Sequence, residues 1–281
     1  MKKRNQSVPD IPVMILCGGK GTRLRDVTEV LPKPMVPIGE QPILLHIMKC
    51  YAAFGLKRFI LCLGYKAEVF IDYFLNYHIR NLDSTIKIGR EPEVTIHGEI
   101  EDAGWEVTLA RTGIESATGK RVSVASKYLK DTDEDFFLTY GDGVSDVNIA
   151  DLYWHHKTSK KLLTLTAVHA PARFGELKIE NDVISDFNEK IAASAGYING
   201  GFMAINRKFL PAYLKGKKAV NDYFENVAMH CAVRDGKIGV FRHEGFWQCM
   251  DTPREYDYLN ELLRSGRAPW TRYWKKKGGK K

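Results

Sequence analysis

Short apolar runs alternate with helical periodicity along the first part of the chain. Val13–Cys17 is a compact apolar run closed by two glycines, which indicates a buried strand. Residues 42–54 carry apolar side chains at helical spacing behind a proline suited to a first turn. A second apolar run follows at 59–63, and helical spacing returns over 66–77. This order of strand, helix, strand and helix predicts a mainly parallel sheet with helices on both faces, an α/β fold.

The middle of the chain departs from this rhythm. Three segments alternate apolar and polar residues as half-exposed strands do, and they predict an antiparallel excursion: 86–88, 94–97 and 105–110. Further helices are predicted at 118–129, 207–214, 220–232 and Pro253–Arg264. Further strands are predicted at 136–139, 162–169, 177–179, 183–187, 197–205 and Ile238–Arg242.

The composition predicts a globular domain between two charged tails. The chain has 281 residues, 44% of them hydrophobic, which excludes a disordered or collagen-like protein. Its net charge of +8 equals the number of basic residues clustered at its two ends, which are Lys2, Lys3, Arg4, Lys275, Lys276, Lys277, Lys280 and Lys281. We therefore expect flexible basic tails at 1–11 and 275–281 and a neutral domain at 12–274, in two parts of about 12–145 and 146–274. No nucleic-acid partner is expected, although binding of nucleic acid by the tails is an alternative.

Other features point to a cytoplasmic protein without a membrane anchor. The most apolar helical segment, 42–55, contains His46 and Lys49 and is too short to span a bilayer. The N-terminal residues lack the apolar stretch of a signal peptide. The five cysteines include no C-x-x-C pair, which is typical of reduced, buried thiols.

A glycine-rich loop follows the first predicted strand. It reads Leu16-Cys17-Gly18-Gly19-Lys20-Gly21-Thr22-Arg23. Glycines allow backbone N–H groups to approach an anion closely, and an arginine adds a forked cation suited to phosphate. The spacing fits neither a P-loop nor a dinucleotide fingerprint. The alternative is a plain glycine turn.

Charged residues at predicted strand ends and in a stiff loop are candidates for phosphate and metal binding. Lys33 lies between two prolines, which hold its backbone extended; alternatively it is a solvated loop residue. Asp142, between two glycines after a buried strand, can reach Mg²⁺ or form an ordinary turn. Asp251 is a second candidate metal ligand; alternatively it caps the helix that follows it, and both roles could hold because they use different oxygens. Glu189 with Lys190, and Asn199 with Gly200, are weaker candidates for a sugar phosphate.

In this order, the motifs G-G-x-G-T-R-L, P-K-P-M, Y-G-D-G, E-K, N-G-G and F-W-Q-x-M-D resemble those of the bacterial sugar-1-phosphate nucleotidyltransferases. The later motifs are most similar to the subgroup that transfers cytidylyl groups to glucose 1-phosphate. The resemblance implies a Rossmann-like, mainly parallel sheet with an elaborated C-terminal half, and a nucleotide-binding part followed by a sugar-phosphate-binding part. It also implies CTP and glucose 1-phosphate as substrates, Mg²⁺ as cofactor, and a homo-oligomer, often a hexamer.

The resemblance implies a role for each matching residue. Nucleotide binding would fall to Leu16, Cys17, Gly18, Gly19, Lys20, Gly21, Thr22, Arg23, Lys33, Ser116, Gly119, Arg121 and Gly141. Sugar-phosphate binding would fall to Tyr140, Glu189, Lys190, Asn199 and Gly200, and metal binding to Asp142 and Asp251. The residues acting in catalysis would be Arg23, Lys33, Asp142, Lys190 and Asp251.

Some positions depart from the family pattern, and other functions stay open. Ile191 follows Lys190 where a proline is usual, and Cys17 stands where an alanine is usual. His155 and His156 are expected on a helix surface, without a catalytic role. The alternatives are a transferase of the same fold that uses UTP or dTTP, and a non-catalytic subunit that senses nucleotides.

Overall fold

The computed structural model describes residues 7–19, 21, 30–91, 93–100, 104–170, 176–180, 183–188 and 196–274. The strands are β1 Val13–Cys17, β2 Pro37–Ile38, β3 Gln41–Pro42, β4 Arg58–Leu63, β5 Asp83–Lys87, β6 Glu93–His97, β7 Glu106–Arg111, β8 Asp135–Tyr140, β9 Gly143–Ser145, β10 Leu163–His169, β11 Glu176–Glu180, β12 Val183–Asn188, β13 Tyr197–Asn206, β14 Ile238–Arg242 and β15 Trp247–Cys249. The α-helices are α1 Ile43–Ala52, α2 Ala67–Leu75, α3 Tyr77–Asn81, α4 Thr118–Ala125, α5 Ile149–Ser159, α6 Phe209–Tyr213, α7 Gly216–Asn221, α8 His230–Arg234 and α9 Pro253–Arg264. A π-helix spans Glu225–Met229, and short 3₁₀ helices span Lys33–Met35, Ser126–Tyr128 and Pro269–Thr271.

A seven-stranded sheet forms the centre of the fold, in the order β14-β10-β13-β8-β1-β4-β7. β1 pairs in parallel with β4 and β8, and β10 pairs in parallel with β14. β13 runs antiparallel to both of its neighbours, β8 and β10. The predicted α/β fold with a mixed, mainly parallel sheet is therefore confirmed.

The sheet is buried on both faces, which explains the continuous apolar run of its central strand. All five residues of β1 are buried. Val13 and Ile15 pack into one hydrophobic cluster, whereas Met14 and Leu16 pack into another. Because successive side chains of a strand point to opposite faces, the two clusters lie on opposite sides of the sheet.

The antiparallel excursion is confirmed for its first two segments and wrong for the third. β5 and β6 form a separate antiparallel hairpin. β7, predicted as part of the excursion at 105–110, instead pairs in parallel with β4 at the edge of the central sheet. Val107 and Leu109 pack on one hydrophobic cluster and Ala110 on the other. An alternating pattern reports which side chains are buried and not the direction of the neighbouring strand, so it did not distinguish parallel from antiparallel pairing.

The ends of the predicted domain and one histidine also differ from expectation. Val8 and Ile11 are buried in the core, so the described end of the predicted N-terminal tail is packed against the domain. The basic clusters themselves lie outside the described residues. His156 is buried, not on the surface, and its Nδ1 lies 2.9 Å from Thr164 Oγ1. Within the described part of the chain, no helix is long and apolar enough to cross a membrane.

Candidate active site

A cleft of about 690 Å³ opens at the carboxyl ends of β1 and β8. Ligands of open α/β sheets bind at this end of the strands. The predicted site residues that line the cleft are Leu16, Cys17, Gly18, Gly19, Gly21, Lys33, Ser116, Arg121, Tyr140, Gly141, Asp142 and Asp251. Residues far apart in the sequence are therefore brought together around one space. A second depression, of about 500 Å³, is lined by none of the predicted site residues.

Three charged side chains converge on one side of this cleft. The ammonium group of Lys33 lies 2.7 Å from Asp142 Oδ2 and also donates to Asp251 Oδ1. Lys33 itself is buried, in the 3₁₀ helix Lys33–Met35 between its two prolines. Burial alone would lower the pKa of Lys33, but the two carboxylates outweigh it and raise that pKa. Lys33 is therefore a fixed positive charge and not a solvated loop residue.

The cap of helix α9 shows which part of Asp251 takes part in capping and which part remains for metal binding. The N-cap is the next residue, Thr252, whose hydroxyl accepts from the backbone N–H of Glu255. Glu255 completes the capping box by accepting from the N–H groups of Asp251 and Thr252 at 2.7 and 2.9 Å. The cap thus uses the backbone of Asp251, while its carboxylate contacts Lys33.

Arg121 lines the cleft, but its guanidinium is bound mainly by the protein itself. Its two terminal nitrogens donate to Thr112 Oγ1 at 2.9 Å and to the carbonyls of Gly113 at 2.8 Å, Gly18 at 3.0 Å and Ile114 at 3.1 Å. A Cβ on Gly18 would lie 2.0 Å from Arg121 Nη1, so only glycine fits there. Arg121 therefore ties the loop after β1 to the loop after β7.

Gly141 shows a second close approach at the same end of the sheet. Its N–H donates to the Leu16 carbonyl at 3.1 Å. A Cβ at this position would lie 2.9 Å from Pro34 Cγ and 3.2 Å from Cys17 Sγ. The glycine thus lets the loop that carries Asp142 pack directly on β1 and on the segment that carries Lys33.

Three of the predicted residues that the structure describes do not line the cleft. Gly119 packs against the backbone after α7, where a Cβ would lie 2.5 Å from the Asp222 carbonyl oxygen. Gly200 packs on Val168, and its carbonyl accepts from Trp247 Nε1 at 2.7 Å. Asn199 contacts a lining residue, because its Nδ2 donates to Tyr140 Oη at 3.2 Å. Gly119 is therefore a helix-packing residue in this structure, and Asn199 lies behind the cleft, one hydrogen bond away from its lining residue Tyr140.

Sequence patterns did not identify Glu225, which also lines the cleft. It begins the π-helix Glu225–Met229, and its carboxylate accepts from Tyr140 Oη and from Thr118 Oγ1. No local motif surrounds this glutamate in the sequence, so its position follows only from the tertiary fold. π-Helical turns occur frequently at functional sites.

Comparison with known proteins agrees with this geometry. A family model described as nucleotidyl transferase matches residues 12–251. The chain belongs to the nucleotidyltransferase family. It is 42% identical to a glucose-1-phosphate cytidylyltransferase of Salmonella typhi, over 92% of this chain and 97% of the relative. It is 38% identical to a probable glucose-1-phosphate cytidylyltransferase of Bacillus subtilis, over 92% and 98%.

Solved structures of the same fold are more distant in sequence. One is a putative glucose-1-phosphate thymidylyltransferase of Bacillus anthracis, with a TM-score of 0.63 and 16% identity over 90% of this chain and 95% of that chain. Another is the inositol-1-phosphate CTP transferase of T. maritima, with a TM-score of 0.59 and 16% identity over 93% and 99%. At these identities the likeness concerns the fold.

Two carboxylates that converge on one cation fit a divalent metal of the kind nucleotidyltransferases generally use. Asp142 and Asp251 both contact the Lys33 ammonium, so their oxygens lie within reach of a single positive centre. Among the described residues, no group of three or more His, Cys, Asp or Glu side chains is arranged to hold a metal. A two-carboxylate set suits Mg²⁺, which keeps waters and takes its other ligands from substrate phosphates.

The thiols near the cleft are not poised as nucleophiles. Burial is the main reason that the pKa of Cys17 lies well above its usual value. Burial, with Glu255 and Asp251 nearby, raises the pKa of Cys249 to about 12. Both therefore stay protonated at neutral pH, and a thiolate is the reactive form.

Several predicted residues lie outside the described part of the chain. They are Lys20, Thr22, Arg23, Glu189 and Lys190, and the departure at Ile191 lies there too. Their roles stay predictions. The described part of the site thus comprises the carboxyl ends of β1 and β8 together with lining residues from other elements, such as Lys33, Arg121 and Asp251.

Proposed function

We propose that the protein transfers a cytidylyl group from CTP to α-D-glucose 1-phosphate and releases CDP-glucose and pyrophosphate. The observation that carries the proposal is the 42% identity, over 92% of the chain, to a protein named glucose-1-phosphate cytidylyltransferase. The convergence of Lys33, Asp142 and Asp251 in the cleft supports a catalytic protein over a subunit that only senses nucleotides.

The nucleophile of this reaction needs no activating base. The second pKa of a phosphate monoester is about 6, so the sugar phosphate is largely dianionic at neutral pH. One of its oxygens attacks the α-phosphorus of CTP in line as the bond to pyrophosphate breaks. The protonated thiols of Cys17 and Cys249 agree with a mechanism that uses no cysteine. The protein has to position two polyanions and to balance their charge.

The roles of the chain follow from the cleft. Gly18, Gly19 and Gly21 would present backbone N–H groups to the triphosphate, together with Thr22 and Arg23. Lys33 would supply a fixed positive charge to the phosphates. The sugar phosphate would be held by Glu189, Lys190, Asn199 and Gly200.

Asp142 and Asp251 would hold Mg²⁺. When bound, the ion would neutralise the charge on the phosphates and orient them. Arg121 acts indirectly, because it keeps Gly18 and the 112–114 loop in place around the nucleotide.

The test is release of pyrophosphate from CTP, glucose 1-phosphate and Mg²⁺ by the purified protein. We expect turnover that requires all three components and a product with the mass of CDP-glucose. Asp142→Asn should lower kcat by at least about 100-fold, because a carboxylate that binds the ion is lost. Asp151→Asn, at an exposed position of α5, is the matched control and should keep normal activity. No turnover by the wild type, or full activity of Asp142→Asn, would contradict the proposal.

The expected homo-oligomer is part of the same proposal and rests on the family alone. Size-exclusion chromatography with light scattering measures the mass directly. A particle of several times 31.9 kDa is expected, and a monomer would contradict it.

A further inference from the structure

The carboxylate of Glu225 forms hydrogen bonds to two sides of the cleft that lie far apart in the sequence. Its Oε2 accepts from Thr118 Oγ1 at 3.0 Å, at the first residue of α4. Its Oε1 accepts from the hydroxyl of Tyr140, at the end of β8. Thr118 follows the predicted nucleotide-binding residue Ser116 by two positions. Tyr140 is a predicted sugar-phosphate residue and directly precedes Gly141 and Asp142.

The hydrogen bonds around this carboxylate run in one direction. Gly201 N–H donates to Asn199 Oδ1 at 2.8 Å, and Asn199 Nδ2 donates to Tyr140 Oη at 3.2 Å. Tyr140 then donates to Glu225. From the other side, the Phe224 N–H donates to Thr118 Oγ1 at 2.7 Å, and Thr118 donates to Glu225. An ionised carboxylate only accepts, so Glu225 ends both chains and orients the two hydroxyl donors, those of Tyr140 and Thr118.

The groups at the sugar-phosphate end are also restrained by packing. Gly201 has a φ of +80°, and a Cβ there would lie 2.4 Å from Tyr140 Cδ2, so the ring lies directly on the backbone of β13. The Trp247 indole fixes the Gly200 carbonyl. Within this frame, Glu225 orients the Tyr140 hydroxyl by accepting its hydrogen bond, which leaves the Tyr140 oxygen to accept from Asn199. The Asn199 amide is thus held between the Gly201 N–H and the oriented Tyr140 hydroxyl.

We propose that Glu225 is a positioning residue that orients Tyr140 and, through it, Asn199 for the sugar phosphate, using the nucleotide-side residue Thr118 as its anchor. The inference rests on the proposed function, because it deepens the sugar-phosphate half of that site. Glu225 acts on the sugar phosphate through Tyr140 and Asn199 and does not touch the reacting atoms. Loss of the Glu225 carboxylate should therefore weaken binding of the sugar phosphate more than binding of CTP.

Glu225→Gln is the decisive variant because it keeps the shape and replaces one acceptor with a donor. The Gln amide has one acceptor oxygen, so it can accept from only one of the two hydroxyls that now donate to Glu225. The Tyr140 hydroxyl is then no longer held in its present orientation. We expect KM for glucose 1-phosphate to rise about tenfold, the effect of one hydrogen bond to a charged group. We expect kcat to change less than KM. The CTP affinity measured by calorimetry without sugar phosphate should stay within about twofold.

Two further variants keep the test open if Glu225→Gln folds poorly. Tyr140→Phe removes the hydroxyl between Glu225 and Asn199 and should raise the same KM. The double variant should be no worse than Tyr140→Phe alone, because both changes break one chain. Thr118→Val should raise this KM less, and Thr118→Ser, which keeps the hydroxyl, should behave as wild type. Glu134→Gln, at an exposed glutamate far from the cleft, is the matched control.

The outcomes separate this inference from the proposed function. An active wild type with an unchanged KM in folded Glu225→Gln would overturn the inference alone. Additive effects in the double variant, or an equal loss of CTP affinity, would also overturn it, because either would mean that Glu225 acts elsewhere. A wild type that makes no CDP-glucose would overturn the proposed function, and the inference with it.

Discussion

Arg121→Met tests whether this arginine holds the walls of the cleft together. The guanidinium is buried between two loops and donates to four oxygens at 2.8 to 3.1 Å. Methionine has a similar length and no donor, so the change removes the bonds without leaving a large void. The carbonyls of Gly18 and Ile114 would lose the partner that now joins them.

The structure sets the size of the expected effect. Hydrogen bonds to a charged group contribute about 1.5–3 kcal/mol each, but part of their sum offsets the cost of burying the guanidinium. Burial lowers the pKa of Arg121, which shows that this cost is present. Because two of the carbonyls belong to exposed residues that water can reach, we expect a net loss of about 3–5 kcal/mol of unfolding free energy. This corresponds to a melting temperature lower by roughly 10 °C.

Urea unfolding followed by circular dichroism measures the loss, with melting curves as a second readout. Lys120→Met is the matched control, because it removes a charge from the neighbouring position of α4 at a partly exposed residue. It should change the unfolding free energy by less than about 0.5 kcal/mol. If Arg121→Met unfolds like the wild type while its CTP affinity falls sharply, the guanidinium serves as a phosphate ligand and does not hold the two loops together.

Three further predictions concern stability and metal binding. Gly18→Ala should lower the unfolding free energy by at least about 2 kcal/mol, because the new methyl group would clash with the Arg121 guanidinium. Gly19→Ala is the control and should be neutral, because a Cβ there has open space around it. Equal unfolding curves for the two variants would contradict this prediction. Burial lowers the pKa of His46 from 6.5 to about 4, so the unfolded chain takes up a proton first on acidification. The unfolding free energy of the wild type should therefore fall by about 3 kcal/mol from pH 6.5 to pH 4. The control His155→Gln should show the same fall, whereas His46→Gln should show a smaller one. An equal pH dependence of the unfolding free energy in all three proteins would contradict the role of His46. Asp142→Asn should weaken Mn²⁺ binding, followed by electron paramagnetic resonance, by at least about tenfold, and unchanged binding would place the ion elsewhere.

The elements of the fold with a strong periodic signal were predictable from the sequence. Val13–Cys17, Ile238–Arg242 and Pro253–Arg264 occur in the structure with the predicted bounds. Each has a clear apolar run or period in the sequence, although only Val13–Cys17 is buried throughout. The parallel pairing of β7 was not predictable, because a one-sided pattern does not encode the direction of the neighbouring strand.

Some residues of the site were likewise predictable from the sequence, and others were not. Lys33, Asp142 and Asp251 were predicted from motifs, and the fold brings them into contact across more than 200 positions of sequence. The bonds of Arg121 were not predictable, since they depend on oxygens of the loop after β1, the end of β4 and the loop after β7. Glu225 was missed because its partners, Tyr140 and Thr118, lie far away in the sequence. Local sequence reports residue type and burial, whereas hydrogen bonding between segments appears only in the folded chain.

Nucleotide preference is the sharpest test of the proposed cytidylyl transfer. The measurement is kcat/KM for CTP, UTP and dTTP, each with glucose 1-phosphate and Mg²⁺, by pyrophosphate release under one set of conditions. We predict that CTP is preferred by at least about 100-fold, the discrimination expected of a site that hydrogen-bonds one base. A higher kcat/KM for UTP or dTTP would contradict it and would leave a nucleotidyltransferase of different specificity.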